Sequence, residues 1–181
     1  MAERRVHSDD FLTELRKACR TEHDGVDQVF SRFDLQDPED YGAFLCAHAR
    51  VVPVLERWLK TRVMAAGTVW RASALASDIC ALGHDMPSEI VWHPMERDGY
   101  AMGVHYVLEG SKLGGRVLAA RVPVDLPQAY LSSGHQAGAW PQFLQTLRGA
   151  LTEGDGAYRA DVLAGARQAF TLFAVSGRRV A

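Results

Sequence analysis

The chain has few of the residues that usually announce a chemistry. Its three cysteines, Cys19, Cys46 and Cys80, are far apart and form no Cys-x-x-Cys pair. That spacing excludes a zinc ribbon and a disulfide framework, and predicts buried thiols in a reducing compartment. No His-Glu-x-x-His, Glu-x-x-His or Asp-x-x-His occurs, which excludes a zincin and argues against a carboxylate-bridged di-iron bundle. A Walker loop and a nucleophile elbow are also missing. Charge of one sign is missing too: 20 Lys and Arg against 22 Asp and Glu leave a formal net charge of −2. No field of that kind selects nucleic acid or an acidic lipid surface. No apolar run approaches the length of a membrane span, and "MAERRVHSDD" lacks the apolar core of a secretory leader. These absences predict a cytoplasmic protein with neither a nucleic-acid nor a membrane partner.

What is present is helical periodicity. Alternating strand patterns, internal repeats and low-complexity segments do not occur, and 181 residues with 48% hydrophobic content suit one domain spanning 1–181. Ser8, Asp9 and Asp10 resemble an N-cap with acidic first-turn residues, opening a helix to about Arg32 that carries Leu12, Leu15, Cys19, Val26 and Phe30. Asp37-Pro38-Glu39-Asp40 is a second start signal, and Pro53 predicts a kink inside the helix it opens. A third helix is expected over roughly Thr68–Leu82, stopped by Gly83. Irregular chain follows, then a glycine-rich helix from about Gly99 to Val122, ended by Pro123. After a second irregular stretch, "AWPQFLQTLRGALT" and "GAYRADVLAGARQAFTLFAVS" complete an all-α fold of six to eight helices.

The segment "GVHYVLEGSKLGGRVL" carries Gly103, Gly110, Gly114 and Gly115. Each glycine inside a helix is disfavoured by about 1 kcal/mol relative to alanine, so four weaken it by roughly 3–4 kcal/mol. Gly103, Gly110 and Gly114 fall within about 20° of one line, with Tyr106 about 40° off it and Arg121 returning to it beyond. Two readings fit: close helix–helix contact, or a flat ligand pressed on bare backbone with Ser111 beside it. His23 lies on the apolar stripe of the first helix, with Arg16 about 20° and Arg20 about 60° away in azimuth. It is either a hydrogen-bonded core residue or a metal ligand, with the guanidinium groups reaching solvent in the first case and clamping carboxylates in the second. His48, four residues after Phe44, is a weaker pocket candidate, and His84, His93 and His135 fall in irregular chain without ligand spacing.

Together these residues resemble the heme oxygenase family, in particular its bacterial branch. The resemblance rests on "YVLEGSKLGG" (106–115), "LRKACRTEHDGVD" (15–27), "ALGHDMP" (81–87), "GAWPQFLQTL" (138–147) and "GARQAFTLF" (165–173). It implies an all-helical bundle with heme b, both cofactor and substrate, between the first helix and the glycine-rich distal helix. Cleavage to biliverdin, CO and ferrous iron is implied, with O2 and electrons from an external reductase, through a ferredoxin- or flavodoxin-type donor. By the same resemblance His23 would be the proximal iron ligand. Gly110, Ser111 and Gly114 would form a distal wall free of acidic side chains, with Ser111 and backbone groups holding ordered water. Arg16 and Tyr106 occupy positions where relatives contact a propionate, and helix geometry adds Arg20 and Arg121 as further propionate candidates. Overall similarity is greatest to the type that supplies biliverdin to bacteriophytochromes. A heme-binding or heme-sensing protein without turnover, or a related helical fold with another ligand, are the competing readings.

Overall fold

The computed structural model describes residues 11–62 and 68–180, and among them helices are the only regular elements. The cap expected at Ser8 to Asp10 lies outside the described residues. The helices are α1 (11–18), α2 (Arg20–Phe30), α3 (Pro38–Ala49), α4 (Val52–Leu59), α5 (Ala72–Ala81), α6 (Asp98–Ala119), α7 (Ala129–Ser132), α8 (Ala139–Glu153) and α9 (Gly156–Val180). No described helix is long and apolar enough to cross a membrane.

Local chemistry explains most boundaries. α1 and α2 are nearly one helix, because Cys19 N donates to Leu15 O at 3.0 Å and His23 N to Cys19 O at 2.9 Å. Asp37 caps α3 by accepting from Asp40 N at 2.9 Å, with Pro38 in the first turn. Pro53 does more than kink the chain. It has no N–H for the carbonyl four residues back and its ring crowds that carbonyl, so the helix breaks at Arg50–Val51 and restarts as α4. The break frees Arg50 O, which accepts from Ile90 N at 2.8 Å in the irregular stretch before α6. Gly83 has φ of 77°, with His84 N on Ile79 O at 3.1 Å and Gly83 N on Cys80 O at 3.0 Å, the paired bonds of a Schellman ending.

Two of the differences from the sequence reading are explained by buried carboxylates. α5 begins at Ala72 rather than Thr68 because Glu56, only 3% exposed, accepts from Arg71 N at 2.7 Å and Ala72 N at 3.0 Å. Asp78, 2% exposed, accepts from Ala129 N at 3.1 Å and Tyr130 N at 2.7 Å, which fixes a helical turn, α7, where irregular chain was expected. Both anions sit on otherwise unpaired donors at a helix N-terminus, the end where negative charge is favoured.

α9 runs past α2, α3 and α6, and its most extensive contact is with the N-terminal half of α6. There the backbones nearly touch. A Cβ on Gly103 would lie 2.0 Å from Val162 O, and one on Gly165 would lie 2.1 Å from Tyr100 O. Gly103 therefore serves helix contact. Gly110 and Gly114, on the same line of α6, meet no part of α9: a Cβ at Gly110 would have only Trp140 within reach, at 3.8 Å, and one at Gly114 nothing within 4 Å. The two helices touch at one end and part towards the other.

Gly103→Ala should force α6 and α9 apart and lower unfolding free energy by roughly 1–3 kcal/mol, the usual range for overpacking. Urea midpoints of the variant and the wild type measure it; equal midpoints would mean that the crossing has slack.

Candidate functional site

Where α6 and α9 part, a cavity of about 470 Å³ opens between α2 and the second half of α6. Arg16, His23, Val26 and Phe30 line one side, and Tyr106, Gly110, Ser111 and Gly114 line the other. Phe44 and His48 of α3 and Phe173 of α9 close the interior end, and Phe170 of α9 lies beside His23. Of the residues singled out from sequence, the structure brings eight to this cavity: Arg16, His23, His48, Tyr106, Gly110, Ser111, Gly114 and Gly115.

Arg20 stands apart from them. It lines a recess that adjoins the cavity and shares Arg16, His23 and Tyr106, and its own side chain is 82% exposed, 3.7 Å from Asp24. Arg121 reaches neither lining. α6 ends at Ala119, so the helical extrapolation that placed Arg121 on the glycine line does not apply, and the residue sits exposed in the turn before Pro123.

His23 lines the cavity with its ring beside two carboxylates. Its Nδ1 lies 3.3 Å from Asp27 Oδ2 and 3.6 Å from Asp24 Oδ1, and its ring meets Phe170 edge-on at 5.7 Å between centroids. A carboxylate on Nδ1–H fixes the tautomer and leaves Nε2 with the lone pair a metal needs. Across the cavity the Arg16 guanidinium donates to the Tyr106 hydroxyl; burial pushes that phenol's pKa up and Arg16 partly offsets it. Tyr106 in turn stacks on Trp140, 6.3 Å between centroids and 27° between planes.

The deep end holds the residue that the sequence reading missed. Arg71, at the start of α5, is 2% exposed and lines the cavity. Its guanidinium lies over the Tyr130 ring, 4.7 Å from the centroid, and donates to Ser111 Oγ at 2.5 Å, while its Nε has no partner. Ser111 donates its own proton to Leu108 O at 2.7 Å, so towards the cavity it offers an acceptor, and the donors at this end belong to Arg71. A signal for Arg71 does exist in the sequence: it stands four residues before Leu75 and eight before Ile79, on the buried stripe of α5.

His48 is the second polar group at the deep end. Its Nδ1 is 2.9 Å from Phe44 O, and the rings of Phe30, Phe44, Tyr130 and Phe173 surround it at 4.3 to 5.7 Å. Burial lowers its pKa to about 4, a push that the Phe44 carbonyl opposes and Arg71 reinforces. At neutral pH the imidazole is uncharged, and with Nδ1–H given to a carbonyl its Nε2 is an acceptor. Glycine backbone, an acceptor imidazole and a fixed cation thus face one apolar space, and no carboxylate lines the interior end.

Comparison with known proteins places the fold and the family. No family model matches the chain. The fold is that of bacterial heme oxygenases: the NO- and CO-bound enzyme from Neisseria meningitidis superposes with a TM-score of 0.78 at 23% identity, covering 94% of this chain and 91% of that one. Heme oxygenase from Leptospira interrogans gives a TM-score of 0.66 at 18% identity over 93% of this chain and 98% of that one. In sequence, a heme oxygenase of Xanthomonas campestris pv. campestris is 30% identical over 151 residues, covering 76% of this chain and 88% of the relative. The chain belongs to the heme oxygenase family.

His48 generates a pH dependence whose sign is fixed. Its folded pKa of about 4 lies below the ordinary 6.5, so its share of stability is complete above pH 6.5 and is lost as pH falls towards 4. Urea midpoints measured between pH 7 and pH 4.5 should therefore fall less steeply for His48→Gln than for the wild type. Parallel slopes would place a charged imidazole in the cavity.

Proposed function

We propose that the cavity takes heme edge-inward and that the protein cleaves it, with O2 and electrons from an external ferredoxin- or flavodoxin-type donor, to biliverdin, CO and ferrous iron. The observation that carries this reading is the facing pair of walls: a histidine whose second nitrogen rests on a carboxylate, and across an apolar space a stretch of helix with no side chains at Gly110 and Gly114. The open space at those two glycines is the cradle a flat ring needs, and a Cβ at either would stand in it. Bound heme would supply an iron centre competent for O2 and a porphyrin edge on which oxygen is inserted.

The chain's own residues account for the rest. His23 Nε2 would hold the iron, and Asp27 would orient the ring. Gly110 and Gly114 bring backbone, rather than a proton-donating side chain, against the other face. Arg71 offers fixed donors at the deep end and His48 an acceptor, so a proton there moves between groups of set polarity. At the outer end Arg16 and Tyr106 would hold a propionate, the charge-assisted contact that fixes how the ring is rotated. Rotation matters because misplacement on the order of 1 Å is large for positioned chemistry. Supply of biliverdin to a bacteriophytochrome is the physiological role that the sequence resemblance favours.

The test is a hemin absorbance titration followed by reductant in air. A sharp Soret band that collapses as bilin absorption grows is expected; a Soret band stable to reductant would leave a heme binder, and none at all would refute the reading. Among variants, His23→Ala should lose turnover and alter the heme spectrum. Arg16→Ala should change the biliverdin isomer ratio, whereas Arg121→Ala, outside the cavity, should not; chromatography of the product decides. Gly114→Ala should stabilise the ligand-free protein by about 0.5–1 kcal/mol through helix propensity while weakening hemin binding. Tighter hemin binding by that variant would rule out the glycine wall.

A further inference from the structure

Behind the glycine wall, on the side of α6 turned away from the cavity, four ionisable side chains are buried together. Glu109, the residue before Gly110, holds Lys112 Nζ at 2.5 Å and His105 Nε2 at 3.4 Å on one carboxylate oxygen, and His135 Nε2 at 2.9 Å on the other. The side chains of all four are at most 6% exposed. Burial alone would raise the Glu109 pKa, but hydrogen bonds from His105 and Lys112 outweigh it and hold the carboxyl at about 2, so it stays charged.

Lys112 and His105 belong to the same helix as Glu109, at i+3 and i−4, and already give the anion a cation and a donor. His135 is different. It comes from the stretch 133–138 between α7 and α8, and neither of its buried ring nitrogens makes a well-aligned hydrogen bond, Nε2 meeting Glu109 as a 2.9 Å ion-pair contact. The approach to the charged carboxylate is what this ring gains from being buried there. The same stretch has Gly134 near its start and ends at Gly138, whose φ is 81°. Two residues later Trp140 lines the cavity, its Cη2 3.8 Å from where a Cβ on Gly110 would be. Trp140 lies 5.5 Å from the His135 ring and stacks on Phe143 at 5.8 Å, and Phe143 meets His105 edge-on at 4.8 Å.

We propose that the His135–Glu109 contact is a latch that holds Trp140 as the roof of the cavity, making His135 a positioning residue for retention of the ring-shaped ligand. Its release would let the chain beyond Gly134 move together with the first turn of α8, which carries Trp140, and so take the indole off Gly110. Lys112 and His105 keep Glu109 paired in either state, so opening leaves no naked buried charge. Lys112, His105 and Arg71 are the other charged or titratable groups near His135, and all three remain in place on α6 and at the start of α5. The ligand in this proposal rests on the reading of the cavity as a heme site; the latch itself does not.

Two amides of equal polarity and different reach test it. The amide of His135→Gln extends to Glu109, and that of His135→Asn falls short. In ligand-free protein, acrylamide quenching of the Trp140 share of emission (the difference from a Trp140→Phe background) should rise in His135→Asn and stay near wild type in His135→Gln. Hemin transfer to apomyoglobin should be roughly fivefold or more faster for His135→Asn and within about twofold of wild type for His135→Gln, as expected when a bond to a charged group is lost from the closed form alone. Equal quenching and equal transfer rates in the two variants would overturn the latch, even if both melt earlier than wild type. Should the wild type bind no hemin, the heme reading fails, and the quenching pair still decides whether His135 holds Trp140.

Discussion

Everything at the site depends on α6 and α9 coming together at one end and not at the other. At Gly103 and Gly165 each backbone lies where the other's Cβ would be, a distance no larger residue permits. Seven residues further along α6 the same face meets no part of α9, and the space between is lined from a distance by Phe170 and Phe173. Close contact at one end fixes the angle between the helices, and the angle makes the cavity. One line of glycines therefore serves two ends: the first lets helices meet, and the later ones keep a surface bare. The helix propensity given up on α6 is offset at Gly103 by burial against α9, and at Gly110 and Gly114 it remains as a cost that only a ligand can offset.

A second constraint is carried by buried carboxylates. Glu56 caps α5, Asp78 caps α7, and Glu109 ties α6 to the chain that enters α8. Each anion satisfies donors from a segment distant in sequence, so each fixes an element that local propensity leaves undetermined. The consequences reach the cavity directly. Glu56 seats Arg71 at its deep end, Asp78 seats Tyr130 beneath that guanidinium, and Glu109 stands behind Gly110. Such charges add little net stability against a well-packed apolar alternative, but removing one partner is severe. Their value here is specificity of placement.

This division explains what was legible in the sequence. The helices are, because their apolar residues recur at 3.6-residue spacing and their ends carry local signals such as Asp37-Pro38 and Gly83. His23, Tyr106 and the glycines are legible as anomalies, a polar or missing side chain on an otherwise apolar stripe. Arg71 carries the same kind of signal on α5, weaker because one arginine at a helix start is unremarkable. What sequence cannot supply is the partner across space. Glu109 and Lys112 have the spacing of an ordinary surface pair, yet their side chains are 6% and 3% exposed, and only the fold brings His135 to them. Arg121 is the converse case, since azimuth extrapolated along a helix fails once the helix has ended at Ala119.

The cavity's two ends are chemically opposed, and on the proposed heme reading that asymmetry would orient a flat amphipathic ring without any shape lock. The outer end is wet, with Arg16, Arg20 and a half-exposed His23 near Asp24 and Asp27. The inner end is dry, with Phe44, His48, Tyr130 and Phe173 around a single guanidinium. Carboxylate substituents entering the dry end would leave their hydration for one already engaged cation, whereas at the outer end they keep water and gain Arg16. Desolvation thus points the acidic edge outward before any specific contact forms. On that proposed reading Tyr106 and Arg16 would need only to select rotation within the plane, a smaller task that a single charge-assisted pair can perform.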